Sequence, residues 1–104
     1  MTKYIDNKED LENLIKDNPK VIIDFYADWC GPCQAVAPIL NALSEEQGNN
    51  LIVAKVNVDQ AAELANDFGV TAIPLLLLYE NGVRANEHMG WIAEKSLRSW
   101  AHLD

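Results

Sequence analysis

Two cysteines, Cys30 and Cys33, are the residues of this chain whose type and spacing most directly suggest chemistry. They lie in the segment Trp-Cys-Gly-Pro-Cys-Gln, and the chain contains no other cysteine. A pair spaced in this way can form a structural disulfide, supply half of a metal site, or open and close as a reversible redox couple. Each alternative requires different features of the remaining sequence.

The metal and structural alternatives are the weaker two. A zinc site needs four ligands, and the two histidines, His88 and His102, are separated far more widely than the usual three to five residues. A disulfide that closes so short a loop would contribute about 2 kcal/mol in the chain-entropy model. We therefore expect no metal, and we expect that a chain of this size does not need a disulfide to stabilise its fold.

The redox alternative agrees with the local pattern, because the cysteines lie between a predicted strand and a predicted helix. As the N-cap of that helix, Cys30 can accept the backbone N–H of Cys33, and the helix dipole lowers the thiol pKa by roughly one unit. Residues at i and i+3 have Cα atoms about 5 Å apart, within disulfide range. Gly31 and Pro32 suit the first helical turn. The sequence favours a redox couple.

Apolar periodicity predicts the elements that position this pair. β-Branched runs over residues 21–26 and 52–58 predict buried strands, and the Asn81-Gly82 turn predicts a hairpin of residues 75–79 and 83–87. Helical stripes predict four helices, and a capping box of Asp6 and Glu9 precedes the first. The second helix is expected to end near Gly48, and the third at Gly69. The alternation implies an α/β fold, a mixed sheet with helices on both faces.

Composition limits the classes of function. The 104 residues fit a single domain, 1–104, and the formal net charge of −8 argues against nucleic-acid or anionic-membrane partners. The longest apolar stretch, residues 72–79, is too short to span a bilayer. With no signal peptide visible, we expect a cytoplasmic protein, in a compartment where thiols are kept reduced.

The segment Asp-Phe-Tyr-Ala-Asp-Trp-Cys-Gly-Pro-Cys (residues 24–33) closely resembles the active-site segment of the thioredoxin family. Nearly the whole chain is similar, including Ala-Pro-Ile-Leu, Lys-Val-Asn-Val-Asp and Phe-Gly-Val-Thr-Ala-Ile-Pro further along. The resemblance implies the thioredoxin fold, with a central mixed sheet of about five strands flanked by four helices on both faces.

The resemblance also implies a protein-disulfide reductase that serves cell redox homeostasis. Cys30 would be the exposed attacking thiolate, and Cys33 would resolve the mixed disulfide with a target protein. We expect a monomer without a bound cofactor, recycled by an NADPH-dependent flavin thioredoxin reductase. Pro32 is linked with the reducing members of the family rather than with oxidases or isomerases. A binding subunit of a larger assembly, in which the cysteines are dispensable, is the alternative.

Two charged residues lie inside the apolar strands. Burial of Asp24 is costly and raises its pKa, so it is either a satisfied structural acid or a functional one. The resemblance implies that Asp24 is a proton acceptor or relay for Cys33, and that Lys55 lies near this acid and tunes it. A lysine that reaches solvent is the plain alternative for Lys55.

The resemblance further implies an apolar surface around Cys30 to which an extended target peptide adds as a strand. Its members would be Trp29, Ile73, Pro74, Met89 and Gly90. The Ile73–Pro74 bond would be cis, although the residues themselves favour an ordinary trans proline. Met89 could equally be core filler.

Four further positions have predicted effects. Pro38 should kink the second helix. Gln34 stands where the family often has lysine, which removes a positive charge near the thiolate. Leu75 and Trp91 stand where threonine and a small residue are usual, and we expect both to make the docking surface larger and more apolar.

Overall fold

The computed structural model describes residues 1–103 and has a five-stranded mixed sheet at its centre. The strands are β1 (Thr2–Tyr4), β2 (Lys20–Tyr26), β3 (Ile52–Asn57), β4 (Leu75–Glu80) and β5 (Val83–Met89). Their order across the sheet is β1-β3-β2-β4-β5. Strands β1, β3 and β2 are parallel, whereas β4 runs antiparallel to both β2 and β5. The predicted α/β class and mixed sheet are confirmed.

Four helices cover the two faces of this sheet. They are α1 (Lys8–Asp17), α2 (Gly31–Gln47), α3 (Ala62–Asp67) and α4 (Glu94–Trp100). Apolar residues of α1 and α3 pack with one face of the strands, and those of α2 and α4 pack with the other. All four correspond to predicted helical stripes, and α2 ends at Gly48 as expected. No helix in residues 1–103 is long and apolar enough to cross a membrane.

Two details of the N-terminal region differ from the sequence pattern. Strand β1 was not indicated by any apolar alternation, because it is short, largely exposed and held by pairing with the edge of β3. The N-cap of α1 is Asn7 rather than the predicted Asp6. The Asn7 side-chain oxygen accepts the backbone N–H of Asp10 at 2.9 Å, which satisfies one free donor of the first turn.

Strand β2 divides its side chains between two environments. Ile23 and Phe25 enter the apolar cluster beneath α1 and α3, where the Phe25 ring lies 5.5 Å from that of Phe68. Ile22 points to the opposite face and joins the α2 and α4 cluster. Because side chains alternate along a strand, Asp24 lies on the α2 side as well. The sequence pattern thus places one acid directly under the helix that begins at the cysteines.

The β4–β5 hairpin returns the chain to the active-site end of the sheet. Asn81 and Gly82 both have positive φ, 52° and 83°, as the predicted Asn-Gly turn requires. Strand β5 then runs back until Met89 pairs with Leu75. The backbone N–H of Gly90 donates to the carbonyl of Pro74 at 2.8 Å. This bond fixes the segment after β5 beside the proline loop.

Candidate active site

The cysteine pair lies at the N-terminus of α2 in the predicted arrangement. Cys30 is the N-cap, and its sulfur accepts the backbone N–H of Cys33 at 3.2 Å. The Cys30 carbonyl accepts the N–H of Gln34 at 3.1 Å, the first bond of the helix. The first turn contains no acidic residue, so no carboxylate there offsets the positive end of the helix dipole. The surroundings of Cys30 therefore favour a thiolate when the pair is reduced.

The two cysteines form a disulfide, with their Cα atoms 5.2 Å apart. This separation confirms the spacing expected from the first helical turn. The expectation that Cys30 is exposed is wrong for this oxidised form, since the residue is only 5% exposed. Ala27 is buried with both cysteines, and Val58 and Ile73 pack against them.

The prolines near the pair have different positions. Gly31 and Pro32 occupy the first two positions of α2, where Pro32 removes no intrahelical hydrogen bond. Pro38 lies inside α2, which stays helical on both sides of it. The kink predicted at Pro38 remains a prediction.

Asp24 and Lys55 form a buried ion pair beneath α2. They are direct register partners on β2 and β3, and the ammonium nitrogen lies 3.3 Å from a carboxylate oxygen. The two residues are 1% and 5% exposed, so the alternative of a solvent-reaching Lys55 is wrong. Apart from this ammonium group, neither carboxylate oxygen has a hydrogen-bond donor among residues 1–103.

Burial decides the acidity of this carboxyl group. Removal from water raises the pKa of Asp24 above its usual range, and the neighbouring Lys55 charge only partly offsets the rise. A carboxyl group in this state can take up and release a proton closer to neutral pH than an exposed aspartate can. The predicted pairing of Asp24 with Lys55 is present, while its role in proton transfer is untested.

A cleft lies between Cys33 and Lys55. Cys33 and Lys55 both line this space of about 200 Å³, together with Tyr26, Ala27, Asp28, Gln34 and Ala37. The cleft brings the polar side chains of Asp28, Gln34 and Lys55 into the surroundings of Cys33. The Gln34 side-chain amide donates to the Asp28 carbonyl at its rim.

The proline loop lies against the cysteines. The Ile73–Pro74 peptide bond is cis, and Ile73 packs on the buried cysteine cluster. Met89 is 54% exposed, which excludes a role as core filler, and Trp91 is 55% exposed. Leu75 is only 5% exposed and packs in the α1 and α3 cluster. The expectation that Leu75 enlarges the docking surface is wrong, because its position in β4 directs it into the core.

Trp29 extends outward immediately before the pair and is 72% exposed. Its indole N–H donates to a carboxylate oxygen of Asp59 at 2.8 Å. Asp59 was missed in the sequence because it follows β3, thirty positions from Trp29. Only the pairing of β2 with β3 brings the two together.

Residues 1–103 contain no group of three or more His, Cys, Asp or Glu side chains that could hold a metal ion. Two sulfurs that bond across one helical turn, at a helix N-terminus and above a buried acid, are arranged for thiol–disulfide exchange. By fold and site the protein is a thiol–disulfide oxidoreductase.

Comparisons with known proteins identify the family. The family model described as Thioredoxin matches residues 2–102. A thioredoxin of Mycoplasmoides gallisepticum is 36% identical over 96 residues, which cover 92% of this chain and 95% of that protein. A bifunctional thioredoxin reductase/thioredoxin of Mycobacterium leprae is 44% identical over 70 residues, 67% of this chain and 15% of the relative.

The structural comparison agrees. A mutant thioredoxin from Halobacterium salinarum superposes with a TM-score of 0.85 at 36% identity, covering 99% of this chain and 93% of that chain. The chain belongs to the thioredoxin family.

Proposed function

We propose that this thiol–disulfide oxidoreductase works in the reducing direction, on disulfides of target proteins. The Cys30 thiolate attacks one sulfur of the target disulfide and forms a mixed disulfide with it, while the target S–S bond breaks and the other target sulfur leaves as a thiolate that takes up a proton. Cys33 loses its proton and attacks the Cys30 sulfur, and the target sulfur bonded to Cys30 leaves as the second thiol. Two electrons pass from the cysteine pair to the target, and the Cys30–Cys33 disulfide remains. The observation that carries this proposal is the Cys33 N–H donated to the Cys30 sulfur at the start of α2.

The proposed proton acceptor for Cys33 is Asp24. Its raised pKa and the cleft shared by Cys33 and Lys55 support this role. Lys55 would tune the acid through the 3.3 Å ion pair. A free thiol is mostly protonated at neutral pH, so an attacking thiol needs a group that takes up its proton.

Targets would dock on a surface formed by Trp29, Ile73, Pro74, Met89 and Gly90. An extended segment could pair with the backbone of Ile73, and exposed apolar side chains around it would contact the segment without strict sequence recognition. Trp91 adds a second exposed tryptophan to the surface defined by these residues. Gln34 in place of a lysine leaves the rim without a positive charge at that position.

After each turnover the pair must be reduced again. We assign this step to an NADPH-dependent flavin thioredoxin reductase, acting on a cytoplasmic monomer. Support comes from the Mycobacterium leprae relative, whose name joins a thioredoxin reductase and a thioredoxin in one protein. The domain itself would bind no cofactor.

Cysteine variants test the proposal with insulin disulfide as the substrate. Cys30→Ser should abolish reduction, because the attacking sulfur is lost, while Cys33→Ser should still attack and accumulate a mixed disulfide that dithiothreitol releases. NADPH oxidation with an added thioredoxin reductase should follow insulin reduction by the wild-type protein. Equal insulin reduction by Cys30→Ser would instead support a binding subunit in which the cysteines are dispensable.

A further inference from the structure

Tyr26 contacts the Lys55 ammonium group of the buried ion pair. The Lys55 ammonium nitrogen lies 4.8 Å from the centroid of the Tyr26 ring and 3.3 Å from the Asp24 carboxylate. Tyr26 follows Asp24 by two positions on β2, so both side chains lie on the same face of the strand. The ammonium group has no further hydrogen-bond acceptor among residues 1–103. An aromatic ring and a carboxylate are thus its two partners in this region.

Two clefts meet at this contact. The cleft of about 200 Å³ contains Cys33, and a second one of about 140 Å³ opens toward the β1 edge. Tyr26 and Lys55 line both of them. Asp6 also lines the second cleft. Lys55 thus borders open space on two sides, so a contact that holds its ammonium group beside Asp24 would matter to the site.

We propose that Tyr26 is a positioning residue of the redox site, whose ring face holds the Lys55 ammonium group against Asp24. The face of an aromatic ring is electronegative and attracts a cation within about 6 Å, most strongly where water is excluded. Burial also raises the pKa of Tyr26, so the ring stays neutral over the pH range in which thiols exchange.

The consequence concerns the acid beneath the cysteines. If the ring attracts Lys55 less strongly, Asp24 loses part of its nearest positive charge, and its pKa rises further. The other ionisable groups facing this region are Cys33 on α2, Tyr4 on β1, Asp6 before α1 and Asp28 after β2; His88 on β5 lies in the same row beyond Leu76. None of them supplies a permanent positive charge. An acid that stays protonated cannot accept the proton of Cys33, so resolution would slow at neutral pH. Only this last step rests on the proposed role of Asp24.

A series of isosteric side chains tests the proposal with little change in packing. Tyr26 is replaced by phenylalanine and by ring-fluorinated phenylalanines, which keep the shape of the ring but weaken its attraction for a cation. The pKa of Asp24 is measured in the oxidised protein from the carboxyl ¹³C shift. We expect Tyr26→Phe to match the wild type and the most fluorinated ring to raise the pKa by about one unit. An unchanged pKa across the series would overturn the proposal.

The same ring substitutions in a Lys55→Met protein test whether the ring acts on Asp24 through Lys55 or directly, by excluding water. In a Lys55→Met protein the ring has no cation to hold, so fluorination should no longer move the Asp24 pKa. Equal shifts in both backgrounds would mean that the ring acts on Asp24 without Lys55, and the positioning role would be wrong. Because the titration does not involve disulfide reduction, its failure would leave the proposed reductase activity standing.

Discussion

Two ion pairs in this protein contain acids whose pKa values are shifted in opposite directions. Asp24 and Lys55 lie in the interior beneath α2, whereas Glu46 and Arg98 lie on the surface where α2 and α4 approach each other. The pKa of Asp24 is raised although a lysine lies 3.3 Å away. Arg98 contacts both carboxylate oxygens of Glu46, at 2.6 and 2.9 Å, and its hydrogen bonds lower the pKa of that acid to about 2.

The comparison shows that the solvation of the carboxyl group, more than its cationic partner, decides whether its pKa is raised or lowered. At the surface, water already stabilises the Glu46 carboxylate, and the guanidinium adds to that stabilisation. In the interior, the loss of water costs Asp24 more than one lysine with imperfect hydrogen-bond geometry returns. The buried pair is thus poorly suited to stabilising the fold and well suited to exchanging a proton.

Removal of the interior cation should have the largest effect on stability. In Lys55→Met the buried carboxylate has no compensating charge, and the expected loss is about 3–5 kcal/mol at a pH where Asp24 is ionised. The loss should shrink as the pH falls and the acid takes up its proton. Urea unfolding of the oxidised protein at several pH values measures both effects. Lys95→Met, at an exposed position of α4, is the matched control and should leave the midpoint unchanged.

A loss of the same size for Lys55→Met at every pH would contradict this account. It would mean that the lysine stabilises the fold by packing of its aliphatic stem and not through the charge of Asp24.

The pH dependence contributed by Asp24 should disappear in Asp24→Asn. Because the folded-state pKa is raised above the unfolded value of 3.8, the folded protein binds more protons than the unfolded chain between those two values. The wild-type unfolding free energy should therefore fall as the pH rises through this window, and the variant should lack that fall. Urea unfolding of oxidised protein from pH 4 upward compares the slopes. The exposed Asp28→Asn serves as control, and wild-type-like slopes in Asp24→Asn would contradict the assignment.

Much of this site could be predicted from the sequence because its determinants are local. The N-cap formed by Cys30 can be predicted from a strand followed by a helix and from the i to i+3 spacing of the two cysteines. Asp24 and Lys55 stand out because each is a charge inside an apolar strand. Their pairing required the resemblance, since no local pattern specifies the register of β2 on β3.

The remaining features depend on contacts between distant segments. Asp59 lies beside Trp29 only because β2 pairs with β3. Strand β1 forms because it pairs with the otherwise free edge of β3. Leu75 was expected at the surface because it follows Pro74 directly, and the sequence does not indicate which face of β4 its side chain occupies. The cis bond at Pro74 came from the resemblance alone. Tyr26 appeared to be an ordinary strand residue until its ring was placed beside Lys55.

The smallest effect is expected from the surface pair. In Glu46→Gln the bidentate contact with Arg98 is lost, but Arg98 keeps its bond to Glu94 at 3.2 Å, and solvent and salt screen the remaining charges. Because the pKa of Glu46 is depressed, its stabilising effect is present above the unfolded value of 4.5 and disappears as the pH falls toward about 2. At neutral pH and physiological salt, the urea midpoint of Glu46→Gln should match the wild type within error. A decrease as large as that of Lys55→Met would contradict the idea that solvation separates the two pairs.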